Sequence, residues 1–133
     1  MKIAAAFAIA VSLAIPAVTA AQAGGQQVQV IDLSAKKFEF TPAEIRVKQG
    51  AHVQIKLHPT DREHGLKLKT QAEGAEKGAP AGLRIIGPEE IKVRENQEGV
   101  LEFVAQKLGT YEFACAKFCG FGHGKMKGKL IVE

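Results

Sequence analysis

Ala51-His52-Val53-Gln54-Ile55-Lys56-Leu57-His58-Pro59 alternates strictly between apolar and polar residues. Val53, Ile55 and Leu57 take every second position, so an extended chain puts all three on one face. A helix would need apolar residues at a period of about 3.6, and this stretch has none. By the same alternation His52 and His58 fall on the opposite face, which reads as solvent-facing.

The rhythm continues on both sides. Upstream stand Phe38 and Phe40, then Ile45 and Val47; downstream come Leu66 and Leu68, Ile91 and Val93, Leu101 and Phe103, Tyr111 and Phe113, and finally Leu130 and Val132. Pro42, Gly50, Pro59, Gly87-Pro88, Gly99 and Gly109 punctuate the runs. Period two between turn residues predicts half-buried antiparallel strands, and many short strands in one domain predict an all-β sandwich. Thr70 to Gly82 breaks the pattern. It is rich in Ala, Gly, Glu and Lys and reads as solvated surface, either a loop or a single helical turn. No internal repeat occurs.

The N-terminus belongs to a different category. Met1-Lys2 gives a short positive start, an apolar stretch runs from Ile3 to Val18 around Pro16, and Ala21-Gln22-Ala23 fits a small-residue cleavage site. The expectation is a secretory signal over 1–23 and an exported, periplasmic domain over 24–133, led by a short flexible Gly24 to Gln27. An uncut membrane anchor on the outer face of the cytoplasmic membrane is the alternative, since about twenty apolar residues span a bilayer. The remainder, about 110 residues, suits one domain. A net charge of +4 and the absence of tryptophan argue against a nucleic-acid partner.

Chemistry concentrates in Cys115-Ala116-Lys117-Phe118-Cys119-Gly120-Phe121-Gly122-His123-Gly124-Lys125-Met126. Its potential ligands follow C-x3-C-x3-H-x2-M, between a strand ending near Phe113 and a last strand from about Lys127 to Val132. Two cysteines in an exported chain are often a disulfide. A loop this short gains little from cross-linking, and the nearby histidine and methionine favour a ligand set. Thiolate and thioether are soft donors that select copper, and imidazole suits both its oxidation states. One cysteine would suffice for a mononuclear site; two thiolates can bridge two copper ions, each with its own imidazole. His123 supplies one imidazole. His64, at the junction of Thr60-Asp61-Arg62-Glu63 and the strand through Leu66 and Leu68, is the best second, with His58 its competitor.

This loop resembles the binuclear CuA site of cytochrome c oxidase subunit II, found also in nitrous oxide reductase. The likeness includes Gly120 after the second cysteine and Asp61-Arg62-Glu63-His64, similar to that family's D-x-x-H segment. Phe38-x-Phe40-x-Pro42-x-x-Ile45-x-Val47-x-x-Gly50 resembles the opening strands of cupredoxins. The resemblance implies a cupredoxin-like Greek-key β-sandwich with two copper ions. Cys115 and Cys119 would be bridging thiolates, His64 and His123 terminal imidazoles, Met126 a weak ligand, and Lys117 a backbone-carbonyl ligand where the family usually has an acidic residue. It also implies single-electron transfer with redox protein partners such as a cytochrome or a terminal oxidase, and no catalysis by the domain alone.

Several features depart from the family. The family normally has two transmembrane helices before the domain, and this sequence carries at most one apolar segment. The tryptophan-bearing entry patch is missing, and Lys117, Lys125, Lys127 and Lys129 stand where an acidic docking face is expected. These lysines read equally as a solubilising rim or as a docking feature. A copper carrier or chaperone for oxidase assembly, a mononuclear blue-copper-like carrier, and a thiol–disulfide or purely structural protein remain as alternative functions.

Overall fold

The computed structural model describes residues 28–116 and 122–133, with only the main chain at His123. The expected leader over 1–23, together with Lys117 and Cys119, lies outside the described residues. Among the described residues ten strands form: β1 (Val28–Lys36), β2 (Glu39–Thr41), β3 (Glu44–Val47), β4 (His52–Pro59), β5 (His64–Leu68), β6 (Leu83–Ile86), β7 (Glu90–Val93), β8 (Gly99–Ala105), β9 (Gly109–Ala114) and β10 (Lys127–Val132). A 3-10 turn, His123–Lys125, precedes β10. No helix among the described residues is long and apolar enough to cross a membrane.

The strands make two five-stranded sheets, ordered β2-β1-β4-β8-β6 and β3-β10-β9-β5-β7. Every run expected from alternation is a strand or borders one, and the all-β Greek-key sandwich is as expected. The strand directions are not all as expected. β1 lies parallel to β4, and β3 parallel to β10, while the other pairs are antiparallel. Alternation reports which face a side chain takes and carries no information on direction. The chain leaves the first sheet after the short edge strand β2 and enters the second at β3. β3 therefore meets the last strand, β10, and not its neighbours in sequence.

Two strands were invisible to alternation. In β1 the buried side chains are Leu33 and Ala35, yet Val28 and Val30 occupy the outward phase and are exposed. In β6, Leu83-Arg84-Ile85-Ile86 is too short for a period. Thr70 to Gly82 forms turns only and is mostly exposed. Its end is pinned by the Gly82 amide, which donates to the Thr70 carbonyl at 2.7 Å, and the Tyr111 hydroxyl packs so close that a Cβ at Gly82 has no room. That hydroxyl donates to the Lys107 carbonyl at 2.8 Å, and burial pushes the Tyr111 phenol pKa up.

The inward residues of both sheets form one core. Leu33, Val53, Ile55, Leu57, Leu101 and Phe103 meet Leu66, Tyr111, Phe113 and Leu130 across the interface. Phe40 and Phe113 bridge the sheets edge to face, with ring centroids 5.3 Å apart. This packing fixes where β5, β9 and β10 end, and those ends carry the site.

Candidate metal centre

β9 ends at Ala114, Cys115 follows, and the chain returns at Met126 to start β10. Lys127 is the direct partner of Ala114, and the Cys115 amide donates to the Met126 carbonyl at 3.2 Å. The ligand loop is thus closed at its neck by main-chain bonds. β5 pairs with β9 on the other side, with Leu68 opposite Phe113 and Lys67 opposite Ala114. This pairing brings His64, the first residue of β5, to Cys115 from far away in sequence.

His64, Cys115 and Met126 are all buried, and His64 is fully so. Burying an imidazole requires partners for both ring nitrogens. Nε2 lies 2.7 Å from an Asp61 oxygen, and Nδ1 faces the Cys115 sulfur at 4.0 Å. The second Asp61 oxygen accepts the Lys37 amide at 2.8 Å. Partial burial pushes the Asp61 carboxyl up, but the hydrogen bonds it accepts from the Lys37 amide and His64 outweigh it. The pKa is held below the ordinary aspartate value. The Asp61 carboxylate accepts a hydrogen bond from Nε2–H, and in the neutral tautomer that keeps its proton there the Nδ1 lone pair faces the Cys115 sulfur.

Gly65 completes the wall. Its amide donates to the Cys115 sulfur at 3.5 Å. A Cβ there would come within 2.8 Å of the Ala116 side chain and 2.9 Å of the Ile91 carbonyl, so the approach requires glycine. Of the expected ligands, the fold brings His64, Cys115 and Met126 to one end of the sandwich. His123 sits in the 3-10 turn of the same loop, while Cys119 and Lys117 fall outside the described residues. Among the described residues no group of three His, Cys, Asp or Glu side chains is assembled to hold a metal. The two donors whose geometry is seen, an imidazole lone pair facing a soft sulfur, fit copper.

His52 and His58 are elsewhere. Both lie on the outer face of β4, half-buried against carboxylates rather than simply solvated. His52 contacts Glu102, and His58 lies 3.3 Å from Asp32 and 3.6 Å from Glu98. Two functional positions had no role in the sequence reading: Asp61 as the clamp on His64, and Gly65 as the amide donor. The D-x-x-H spacing and the glycine after His64 were their signals.

A buried imidazole and thiol at one end of a two-sheet Greek-key sandwich define a cupredoxin-type metal protein. The chain belongs to the cupredoxin-like domain family, whose pattern matches residues 3–132. It is similar to cytochrome c oxidase subunit 2 of Thermus thermophilus, at 28% identity over 118 residues and 89% of this chain. That match spans 75% of one such relative and 60% of another. A chain of a heme-copper terminal oxidase dimer shares the fold with a TM-score of 0.57 at 24% identity, over 84% of this chain and 68% of that one. Auracyanin A, a "blue" copper protein of Chloroflexus aurantiacus, shares it with a TM-score of 0.59 at 19% identity, over 80% of this chain and all of that one. The cupredoxin fold is a copper-binding fold, and the donors at this end of the sandwich accord with it.

Proposed function

We propose that this protein is an exported, CuA-type electron-transfer domain that holds two copper ions and exchanges single electrons with redox proteins, a terminal oxidase among them. Residues 1–23 would be its secretory signal and 24–133 its cupredoxin domain. Cys115 and Cys119 would bridge the ions and His64 and His123 would cap them. Met126 and the Lys117 carbonyl would be weak ligands. The observation that carries this reading is the His64 Nδ1 facing Cys115 Sγ at 4.0 Å in a buried setting, within a chain whose ligand loop reads C-x3-C-x3-H-x2-M.

The chain's own residues serve such a role by holding still. Asp61 fixes the His64 ring, the Gly65 amide supports the Cys115 sulfur, and the Cys115–Met126 main-chain bond keeps the loop neck closed. Burial of His64, Cys115 and Met126 excludes water from these donors. Bound copper would supply a one-electron couple. Ligands that barely move on a change of charge keep the cost of reorganisation low, and a rigid sandwich supplies them.

Copper stoichiometry combined with electron paramagnetic resonance tests the reading. The reconstituted protein should bind two coppers and show one unpaired electron shared equally between two nuclei. Cys115→Ser and Cys119→Ser should each abolish that spectrum, because a hydroxyl is a poor soft bridge. Hyperfine structure from a single copper nucleus at full loading would replace this reading with a mononuclear one.

A further inference from the structure

The outer face of the β3-β10-β9-β5-β7 sheet carries a cluster of cations beside the ligand loop. Residues directly opposite across a ladder share a face. One cross-strand row reads Glu90, Lys67, Ala114, Lys127. The next reads Glu112, Lys129, Glu44, with Lys69 joined to Glu112 at 2.9 Å. Arg46 lies opposite Ile131, and Lys92 opposite Gly65. All six cations are exposed; Glu44, Glu90 and Glu112 stand among them and Glu73 and Glu133 pair at their margin, so the cations exceed the carboxylates by one.

Internal pairing does not cancel this excess. Arg46 is held by Glu44 at 2.9 Å and by Glu133 at 3.2 Å, and Lys129 reaches Glu73 at 3.3 Å, but nearer Ala114 the single Glu112 is shared between Lys69 and Lys127. Lys67 and Lys92 have no salt-bridge partner among the described residues. Exposed pairs of this kind are worth little each, so a partner's carboxylates can compete for these lysines. The outer face of the other sheet differs. There Asp32, Glu39, Glu98 and Glu102 stand against Lys36, Lys56 and Arg84, with His52 beside Glu102 and His58 beside Asp32. The positive balance is therefore lopsided across the sandwich.

Ala114 sits within the basic face, half-exposed between Lys67 and Lys127, and is the residue before Cys115. Its methyl group lets another surface approach the main chain that leads into the ligand loop. We propose that the outer face of this sheet, centred on Ala114 and framed by Lys67 and Lys127, is the docking face for an acidic redox protein. The redox character of the partner rests on the electron-transfer reading above; the acidic character rests on the face itself. A cationic face raises the local concentration of an acidic partner and orients it, and it does so less as salt rises.

Cytochrome b5, an acidic haem protein, serves as the probe, and basic cytochrome c as its counterpart. Amide shifts of the isotope-labelled full chain should move with cytochrome b5 in β5, β9 and β10 around Ala114, and should vanish at about 0.5 M salt. Cytochrome c should leave that face unmoved. Charge reversal at Lys67→Glu with Lys127→Glu should weaken binding by about tenfold or more, the low end of electrostatic steering effects. The milder Lys67→Gln with Lys127→Gln guards against a folding defect and should weaken it in the same direction. The same reversal on the other sheet, Lys36→Glu with Arg84→Glu, should cost less than about twofold, because screening confines the effect.

Shifts that are absent, that fall on the other sheet, or that weaken equally in both double reversals would overturn the docking face. Copper stoichiometry and paramagnetic resonance on the same samples separate the two claims. An intact dinuclear spectrum without mapping to β5, β9 and β10 sinks the docking face alone. Mapping without that spectrum sinks the functional reading alone.

Discussion

His64 uses its two ring nitrogens differently, and that asymmetry is testable. Nε2 is committed to Asp61 and Nδ1 faces the Cys115 sulfur. His64→Ala should abolish the dinuclear spectrum, whereas His58→Ala and His52→Ala should spare it, since those rings rest on carboxylates of the other sheet. The reverse result would place the upstream ligand on β4. Asp61 uses both oxygens, one on His64 and one on the Lys37 amide. Asparagine offers a single acceptor oxygen, so Asp61→Asn must release one of the two. Copper affinity, read by competition with a chelator, should fall by about 10- to 100-fold, the usual effect of losing a residue that orients a ligand. An unchanged affinity would mean that packing alone holds the ring. Met126 is fully buried, which by itself suits a core residue as well as a ligand. Met126→Leu keeps the volume and removes the sulfur, so copper should still bind while the reduction potential falls. Each ~59 mV corresponds to about 1.4 kcal/mol for one electron. A potential and optical spectrum that both stay put would make Met126 packing only.

At the level of elements, the site is the product of β5, β9 and β10 meeting in one register, and Glu112 is the charged residue that ties these strands together on the outside. Lys69 beside Glu112 holds its carboxyl below the ordinary glutamate value of 4.5; partial burial opposes this, and Lys127 and Lys129 assist. A carboxylate depressed in the folded state stabilises the fold above its unfolded pKa, and that contribution disappears as pH falls through the folded pKa. Glu112→Gln should therefore cost up to about 1 kcal/mol near neutral pH. The cost should shrink toward zero as pH drops below 4.5, as urea denaturation at a series of pH values would read. A cost that persists in acid would assign the effect to packing. The strands themselves were legible to different degrees. β4, β9 and β10 announce themselves because one face is apolar throughout. β1 does not, because Val28 and Val30 break phase with Leu33 and Ala35. The parallel pairings of β1 with β4 and β3 with β10 are decided by which sheet the chain crosses into, and side-chain alternation is silent on that.

For the whole molecule, the ligand types could be read from one loop, but their meeting could not. C-x3-C-x3-H-x2-M names the proposed donors, and only the β5–β9 pairing carries His64 to Cys115 across 51 residues of chain. Asp61 was likewise visible as a spacing and not as a clamp, because its second oxygen is spent on Lys37, which no local pattern links to it. Donors gathered from separate elements have an energetic consequence. A metal that binds them in the folded chain and finds them scattered in the unfolded one stabilises the fold by mass action, about 2.7 kcal/mol at a hundredfold excess over the dissociation constant. For a domain of this size 1 kcal/mol moves the melting temperature by about 4–8 °C, so loading should raise it by roughly 10–20 °C. The rise should grow with free copper and be reversed by a chelator. Comparing loaded and stripped forms of each variant removes the variant's own packing cost. On that comparison His64→Ala should lose most of the increment, because the donor from β5 is gone, and His58→Ala should keep it. Copper binding to the unfolded cysteines and histidines subtracts from the effect, but equally for both variants, since each loses one histidine. If the two variants show the same increment, copper is being held by the Cys115–Met126 loop alone and β5 takes no part in the site.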